Sequence, residues 1–155
     1  MSPLPIPELP PSLQRLVVKD GVALGGLSTD DRLQALAWIW AGLPVGLVAT
    51  EPQVNEALKA QLAGPGRFID VDHVELRRWL VDGGWLQRDG YGREYRRSQP
   101  TDAAAAAWAE RLAHVDTAAC AQAWRAEREA ERRARRARWQ AQGGVPSGGQ
   151  GGAAA

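Results

Sequence analysis

The chemistry that this sequence offers is that of the guanidinium group, because its arginines fall into three clusters. The largest cluster lies near the C-terminus. Residues 117–155 hold seven Arg and three Glu, a net charge of +4, whereas the whole chain has a net charge of only +1. Guanidinium groups stay charged at physiological pH and bind phosphate in a bidentate geometry. The sequence therefore indicates a basic tail attached to a nearly neutral domain.

Four arginines of this cluster follow one another at intervals of three, four and four residues, which places them on one face of a helix. They are Arg125, Arg128, Arg132 and Arg136. Like charges at this spacing repel by ~0.2–0.5 kcal/mol per pair, and an anionic partner would relieve that repulsion. Trp124 and Trp139 bracket the stripe and are candidates for stacking on bases. The alternative is a solvated helix held by Ala propensity and Glu–Arg pairs, with Trp124 docked on the domain.

The second cluster belongs to a predicted β-hairpin over residues 85–97, which we call the wing. Its candidate nucleic-acid-binding residues are Arg88, Tyr91, Arg93, Arg96 and Arg97. Four Arg against Asp89 and Glu94 give the wing +2. A basic hairpin with an aromatic tip can lie in a minor groove or stack on an unpaired base. The alternative is an ordinary solvated hairpin whose charges protect its edge from aggregation.

The turn of the wing allows two registers. A two-residue loop over 89–90 pairs Arg88 with Tyr91, and a four-residue loop over 89–92 pairs Arg88 with Arg93. The longer loop is favoured because its two glycines can both adopt positive φ.

The third cluster is Arg77 and Arg78, on a helix predicted after Asp72. Arginines there can bridge phosphates or read guanine in a major groove. Four acidic residues surround the pair, so that residues 70–82 have a net charge of −2. That is a poor surface for DNA, because phosphate neutralisation dominates affinity. The alternative is that the acids cap the helix start, while Glu75 and Asp82 pair with Arg78.

Local signals predict the elements that position these clusters. Helix starts are indicated at Ser28, at Thr50 with Gln53 and at Asp72 with Glu75, where a side-chain oxygen can cap the first turn, and another helix is expected to open over residues 100–102. The apolar runs 16–18 and 22–24, on either side of an Asp-Gly turn, predict a short strand or hairpin, and residues 45–48 predict a short strand. Trp38 is expected to be exposed, because its face differs from that of the other apolar residues of its helix.

Helix, helix and hairpin in this order predict an α+β, mainly α, fold: a winged helix-turn-helix domain with a C-terminal helical arm. The predicted organisation is a Pro-rich disordered arm over 1–11 and a winged-helix-like domain over 12–98. A C-terminal helical extension follows over 100–142, Arg-rich in 125–138, and then a disordered Gly-rich tail over 143–155.

Part of this region resembles a bacterial family known as domain of unknown function 2087. The matching residues are Asp20-Gly21, Thr50-Glu51, Val54-Asn55-Glu56, Leu58, Asp72, Leu76-Arg77-Arg78, Leu80-Val81-Asp82, Gly84, Leu86, Arg88, Gly92 and Tyr95. The resemblance implies a winged-helix-like fold, often attached to ArsR-type or other helix-turn-helix regulators, and it implies no established chemistry. The chain departs from the family pattern by an inserted link over 64–69 and by Val48-Ala49 in place of an aromatic residue.

Signals for catalysis are nearly absent, and no enzyme activity, cofactor or metal is expected. Cys120 is the only cysteine, and two widely separated histidines, His73 and His114, do not make a metal site with it. No signal peptide or membrane-spanning run is seen, so a soluble, cytoplasmic protein is expected.

The sequence thus predicts a non-catalytic nucleic-acid-binding or transcription-regulatory protein. DNA is favoured over RNA as its partner, and membrane binding is not expected, because the C-terminal helix lacks a bulky apolar face. The alternative is a protein-interaction adaptor that docks on an acidic protein surface. The oligomeric state is left open.

Overall fold

The computed structural model describes residues 8–143, which form six α-helices, one 3₁₀ helix and three β-strands. In chain order these are α1 (Pro11–Val17), the 3₁₀ helix (Leu24–Gly26), α2 (Thr29–Gly42), β1 (Val48–Thr50), α3 (Glu51–Ala63), α4 (His73–Asp82), β2 (Leu86–Arg88), β3 (Glu94–Arg97), α5 (Ala103–Leu112) and α6 (Thr117–Ala141). The fold is mainly helical with a small antiparallel sheet, which confirms the predicted α+β class.

Helix α2 forms the centre of the core, because every residue from Gln34 to Trp40 is buried. A helix that is buried on all its faces needs neighbours all round, and α1, α4, α5 and α6 supply them. The predicted exposure of Trp38 is therefore wrong. Its ring is fully buried and stacks on Trp124 of α6, with the ring centroids 5.4 Å apart.

Helices α2, α3, α4 and α5 begin at the positions that the sequence predicts. The Ser28 hydroxyl accepts the backbone N–H of Asp31, and the carboxylates of Asp72 and Asp102 cap α4 and α5 in the same way. Thr50 and Gln53 form a complete capping box, in which each side chain accepts the other residue's backbone N–H. These local bonds satisfy donors that have no partner inside the helix, and they fix where each helix starts.

The three strands form one antiparallel sheet in the order β1-β3-β2, so that the last strand lies in the middle. The observed wing register pairs Arg88 with Tyr95, and both predicted registers are therefore wrong. The reason is Asp89. Its carboxylate accepts the backbone N–H groups of Tyr91 and Arg93, and its own N–H donates to Glu94. This side-chain turn shifts the four-residue loop to residues 90–93.

The strand or hairpin predicted over residues 16–24 is also wrong. Residues 11–17 form α1, which begins with a proline in its first turn and buries Leu13, Leu16 and Val17 against α2. Tertiary packing thus determines the secondary structure of this segment, although its short apolar runs favour strand. Only Val22 makes a β-type pairing, a parallel bridge to Ile69. The strand predicted over 45–48 is displaced, since β1 begins at Val48.

The predicted C-terminal extension shares the main core. Ala105, Ala109 and Leu112 of α5 are buried in it together with Cys120 and Trp124 of α6. The predicted disordered N-terminal arm lies outside the described residues over 1–7, and helix α1 already begins at Pro11. The predicted Gly-rich tail lies outside them from residue 144 onwards. Within residues 8–143, no helix combines the length and apolar character needed to cross a membrane.

We expect Gly66→Ala to destabilise the fold by about 1–3 kcal/mol, the usual range for overpacking. A Cβ at Gly66 would lie 2.4 Å from Ile39 Cδ1 and 3.0 Å from the backbone oxygen of Gln61. Urea denaturation measures the effect. Gly26→Ala is the matched control, because a Cβ there meets no atom within 4 Å. Equal stability of the two variants would contradict the close packing of the α3–α4 link.

Candidate nucleic-acid interface

Helix α6 divides into two parts with different surroundings. Its first part is docked on the body of the molecule: Thr117, Cys120, Ala121 and Trp124 are buried. Its second part, residues 129–141, is exposed at every position, and we call it the projecting arm. The predicted docking of Trp124 is confirmed, since its side chain is only 6% exposed.

Two arginines fasten the first part of α6 to the body. Arg125 donates through Nη1 to the backbone oxygen of Gly64 at 3.1 Å, and through Nη2 to that of Pro65 at 3.2 Å and of Val17 at 3.5 Å. Arg128 donates through Nη1 to the backbone oxygen of Val18 at 2.9 Å. Both residues were predicted to bind nucleic acid, and in this structure their donors are directed at the protein's own backbone.

These carbonyl acceptors lie at or just after the C-termini of two helices. Val17 and Val18 lie at the C-terminus of α1, and Gly64 and Pro65 follow the C-terminus of α3. The last carbonyls of a helix have no intrahelical partner and carry partial negative charge, so cationic donors are favoured there. Burial is the main cause that lowers the pKa of Arg125; neighbouring Arg67 lowers it further, and Asp20 raises it.

The projecting arm carries the exposed arginines of the predicted stripe, Arg132 and Arg136. It contains five Arg and two Glu in all. Of the predicted Glu–Arg pairs, Glu129 with Arg133 is present at 3.5 Å, whereas Glu131 with Arg135 is not among the ion pairs of residues 8–143. Trp139 is 48% exposed, although it is a large aromatic residue. At about 1.5 Å of rise per residue, these thirteen positions extend roughly 20 Å.

The tip of the wing presents three of its five predicted residues to solvent: Arg88, Tyr91 and Arg93. Tyr91 is 85% exposed, and the guanidinium of Arg93 lies 5.8 Å from the centroid of its ring. Asp89 lies in the same turn. The backbone N–H groups that it accepts, chiefly that of Arg93, lower its pKa. Asp89 therefore stays ionised and offsets one positive charge of the tip.

The other two wing residues are engaged within the protein, although Arg96 on β3 is also exposed. Arg96 binds the carboxylate of Glu94 through Nε and Nη2, both at 2.8 Å. The guanidinium of Arg97 stacks on Trp40 with its carbon 3.8 Å from the ring centroid, and burial lowers its pKa. Cation–π stacking of this kind anchors the wing on α2.

The two predicted arginines of α4 also differ, because one is engaged within the protein and the other is exposed. Arg77 donates to Asn55, pairs with Glu51 at 3.0 Å and lies 5.7 Å from the centroid of the Tyr95 ring. It therefore joins α4 to α3 and β3. Arg78 is exposed. Its predicted pairs with Glu75 and Asp82 are not among the ion pairs of residues 8–143. A groove of about 380 Å³ between α4 and the wing is lined by both arginines and by Arg88.

Two cations near the docked part of α6 were not predicted from the sequence. Lys19 follows α1 and Arg67 lies in the link between α3 and α4, and both line a cavity together with Arg125, Arg128 and Arg132. No periodic pattern connects them, because the two residues lie in loops that only tertiary structure brings together. In the part of the chain that is described, no group of three or more His, Cys, Asp and Glu could hold a metal ion.

Comparison with known proteins finds a match to the same family that the sequence resembles. Residues 27–97 match the model of a family described as "Uncharacterized protein conserved in bacteria (DUF2087)". The matched segment runs from just before α2 to the end of β3, so that α1, α5 and α6 lie outside it. No curated protein and no solved structure matches the chain.

We expect Arg125→Met to lower the free energy of unfolding by about 1.5–3 kcal/mol, the range for hydrogen bonds to charged groups. The substitution keeps the aliphatic stem and removes every donor to the three carbonyl oxygens. Urea denaturation measures the loss. As a second readout, the buried thiol of Cys120 should react faster with a thiol reagent when α6 is less firmly docked.

Arg135→Met is the matched control for this experiment, because Arg135 is exposed on the same helix. It should change neither stability nor thiol reactivity appreciably. If the two variants were equally stable, the backbone contacts of Arg125 would not be what holds α6 in place.

Proposed function

We propose that this chain, whose residues 27–97 match a bacterial family of unknown function, is a non-catalytic nucleic-acid-binding protein of the transcription-regulatory kind. It holds phosphates with its projecting arm and the tip of its wing. The observation that carries the proposal is the arm itself: thirteen consecutive exposed residues with five Arg and two Glu. A single helix with this excess of exposed cations offers little to an apolar partner and much to a polyanion.

The dimensions of the arm suit a nucleic-acid duplex. A major groove about 12 Å wide admits an α-helix. Arginines on several faces of such a helix can reach the phosphates on both sides of the groove. Arg132 and Arg136 lie one turn apart on one face, and Trp139 near the end is available for stacking on a base. The docked first part of α6 holds the arm in a fixed direction, which lowers the entropy cost of binding.

We interpret residues 29–97 as a winged helix-turn-helix. The order α2, β1, α3, α4, β2, β3, with β3 in the middle of the sheet, supports this interpretation. In such a domain α4 is the recognition helix and β2–β3 is the wing. Asp72, Glu75 and Asp82 are exposed on α4, where they repel phosphate, and Arg77 is engaged with Glu51. We therefore assign phosphate binding mainly to the arm and to Arg88 and Arg93 of the wing, with Arg78 beside them.

The acidic surface of α4 also favours a second candidate function, a protein-interaction adaptor. Exposed carboxylates on a recognition helix suit a basic protein surface better than DNA, and Val74 is exposed among them. In this case the arm docks on an acidic protein surface. The two candidates differ in how binding to a generic duplex depends on salt.

We expect full-length protein to bind duplex DNA of arbitrary sequence with an affinity that falls steeply as salt rises. Each phosphate contact contributes about −0.9 to the slope of log K against log salt. The double variant Arg132→Gln/Arg136→Gln should reduce the slope by about 2. Fluorescence anisotropy at several salt concentrations measures it. Arg111→Gln/Lys59→Gln is the control, with the same loss of charge at exposed positions on α5 and α3.

A truncation after Ala130 should remove most of this affinity and leave the fold intact. Truncation after Thr117 is unsuitable, because it deletes the buried residues Cys120, Ala121 and Trp124. If full-length protein shows no salt-sensitive binding to DNA or RNA duplexes, the proposed function is wrong and the adaptor is favoured. If binding survives the truncation unchanged, the arm is not the site.

A further inference from the structure

A dense cluster of charged side chains lies where α6 leaves the body, at the base of the projecting arm. A cavity of about 120 Å³ at this point, which we call the junction pocket, is bordered by five cationic side chains from three segments. Lys19 follows α1, Arg67 belongs to the link between α3 and α4, and Arg125, Arg128 and Arg132 come from α6. Asp20 and Glu129 are the acidic members of its lining.

The charges of the junction pocket are not compensated by ion pairs. None of the five cations is within 4.0 Å of a carboxylate oxygen in the ion pairs found among residues 8–143. Arg125 and Arg128 instead donate to backbone carbonyls, which carry only a partial charge. The net formal charge of the lining is +3. Five cations around so small a space repel one another: besides burial, which is the main cause, Arg67 lowers the pKa of Arg125, and Asp20 opposes this effect.

The donors of the pocket are also only partly used. A guanidinium has five N–H groups in a planar fork. Among residues 8–143, the side-chain hydrogen bonds of Arg128 consist of the one that Nη1 donates to Val18, and Lys19, Arg67 and Arg132 are exposed. Donors from the body and from α6 therefore border the same small space. A compact tetrahedral oxyanion with several acceptor oxygens matches this arrangement better than a planar carboxylate does.

We propose that the junction pocket binds a single phosphate group, which bridges Lys19 and Arg67 of the body to Arg132 of α6. The bound anion reduces the repulsion at the base of the arm and fastens the arm more firmly. The phosphate can come from a free phosphate compound or from a nucleic-acid backbone, since the same chemistry recognises both. The site does not depend on the proposed function, because inorganic phosphate alone tests it.

The test is thermal denaturation of the full-length chain in increasing inorganic phosphate, with chloride added to keep the ionic strength constant. We expect a saturable rise in Tm that chloride alone does not give, because a ligand bound only by the folded state stabilises it. Isothermal titration with inorganic phosphate gives the dissociation constant. Arg67→Gln and Lys19→Gln should each weaken it about tenfold or more, as expected for the loss of a charged hydrogen bond.

Both substitutions are at exposed positions and should leave the fold intact, which circular dichroism checks. Arg15→Gln is the matched control, because Arg15 is an exposed arginine on α1 that does not border the junction pocket, and it should retain the full phosphate effect. The proposal is overturned if phosphate stabilises the chain no more than chloride does. It is equally overturned if Arg67→Gln and Lys19→Gln keep the same dissociation constant as Arg15→Gln.

A second measurement identifies the source of the phosphate. If the pocket holds a backbone phosphate, Arg67→Gln should reduce the salt slope of duplex binding by about 1. If Arg67→Gln loses inorganic phosphate and leaves that slope unchanged, the pocket takes a free phosphate compound. Phosphate binding in a chain that shows no duplex binding would reject the proposed function and support this site.

Discussion

The carbonyl oxygen of Pro65 is the point on which the arrangement of the C-terminal half depends. It accepts Trp38 Nε1 at 2.9 Å and Arg125 Nη2 at 3.2 Å, while the ring of Trp38 stacks on Trp124. The turn that follows α3 thus connects the central helix α2 to the last helix α6. A carbonyl that is removed from water at such a point must be paired, because an unpaired buried one costs about 1–3 kcal/mol. The polar bonds therefore fix the position of α6, and the stacked indoles add buried apolar contact.

This junction also explains why the arginines of one stripe have different environments. Arg125 and Arg128 precede Arg132 and Arg136 on the same face, but the body of the molecule ends between the two pairs. The first pair donates to carbonyls at helix C-termini, whereas Arg132 and Arg136 are exposed and Arg132 also borders the junction pocket. Arginine suits both situations, since it remains protonated even where burial lowers its pKa, and its planar donors bind two carbonyls at once. Lysine, with a compact charge, would not bridge Gly64 and Pro65 in this way.

A feature could be predicted from the sequence when the residues that determine it lie close together in the chain. Helix starts were predicted correctly at Ser28, Thr50 and Asp72, because a cap is a bond between residues three apart. The wing register was wrong because the Asp89 carboxylate organises the loop. The burial of Trp38 and the helix at α1 depend on partners distant in the chain, and local periodicity does not contain them. For the candidate site, spacing identified the stripe, but it could not distinguish docked arginines from exposed ones.

Charge is distributed so that the family-matched segment is not the part best suited to a polyanion. Residues 27–97 hold nine basic and ten acidic side chains, a net charge of −1. The +4 of residues 117–155 lies outside that segment. The link over 64–69 supplies the carbonyls that receive Arg125 and the loop that contains Arg67.

The link over 64–69 and helix α6 therefore act as one unit. In the proposed function this unit supplies affinity that is independent of base sequence, because phosphates carry no sequence information. In the same proposal the wing, attached to α2 through Arg97 and Trp40, orients the domain on the duplex. In the proposed function, affinity and orientation thus belong to different segments, and both segments contact α2: the wing through Trp40, and the link with α6 through Trp38.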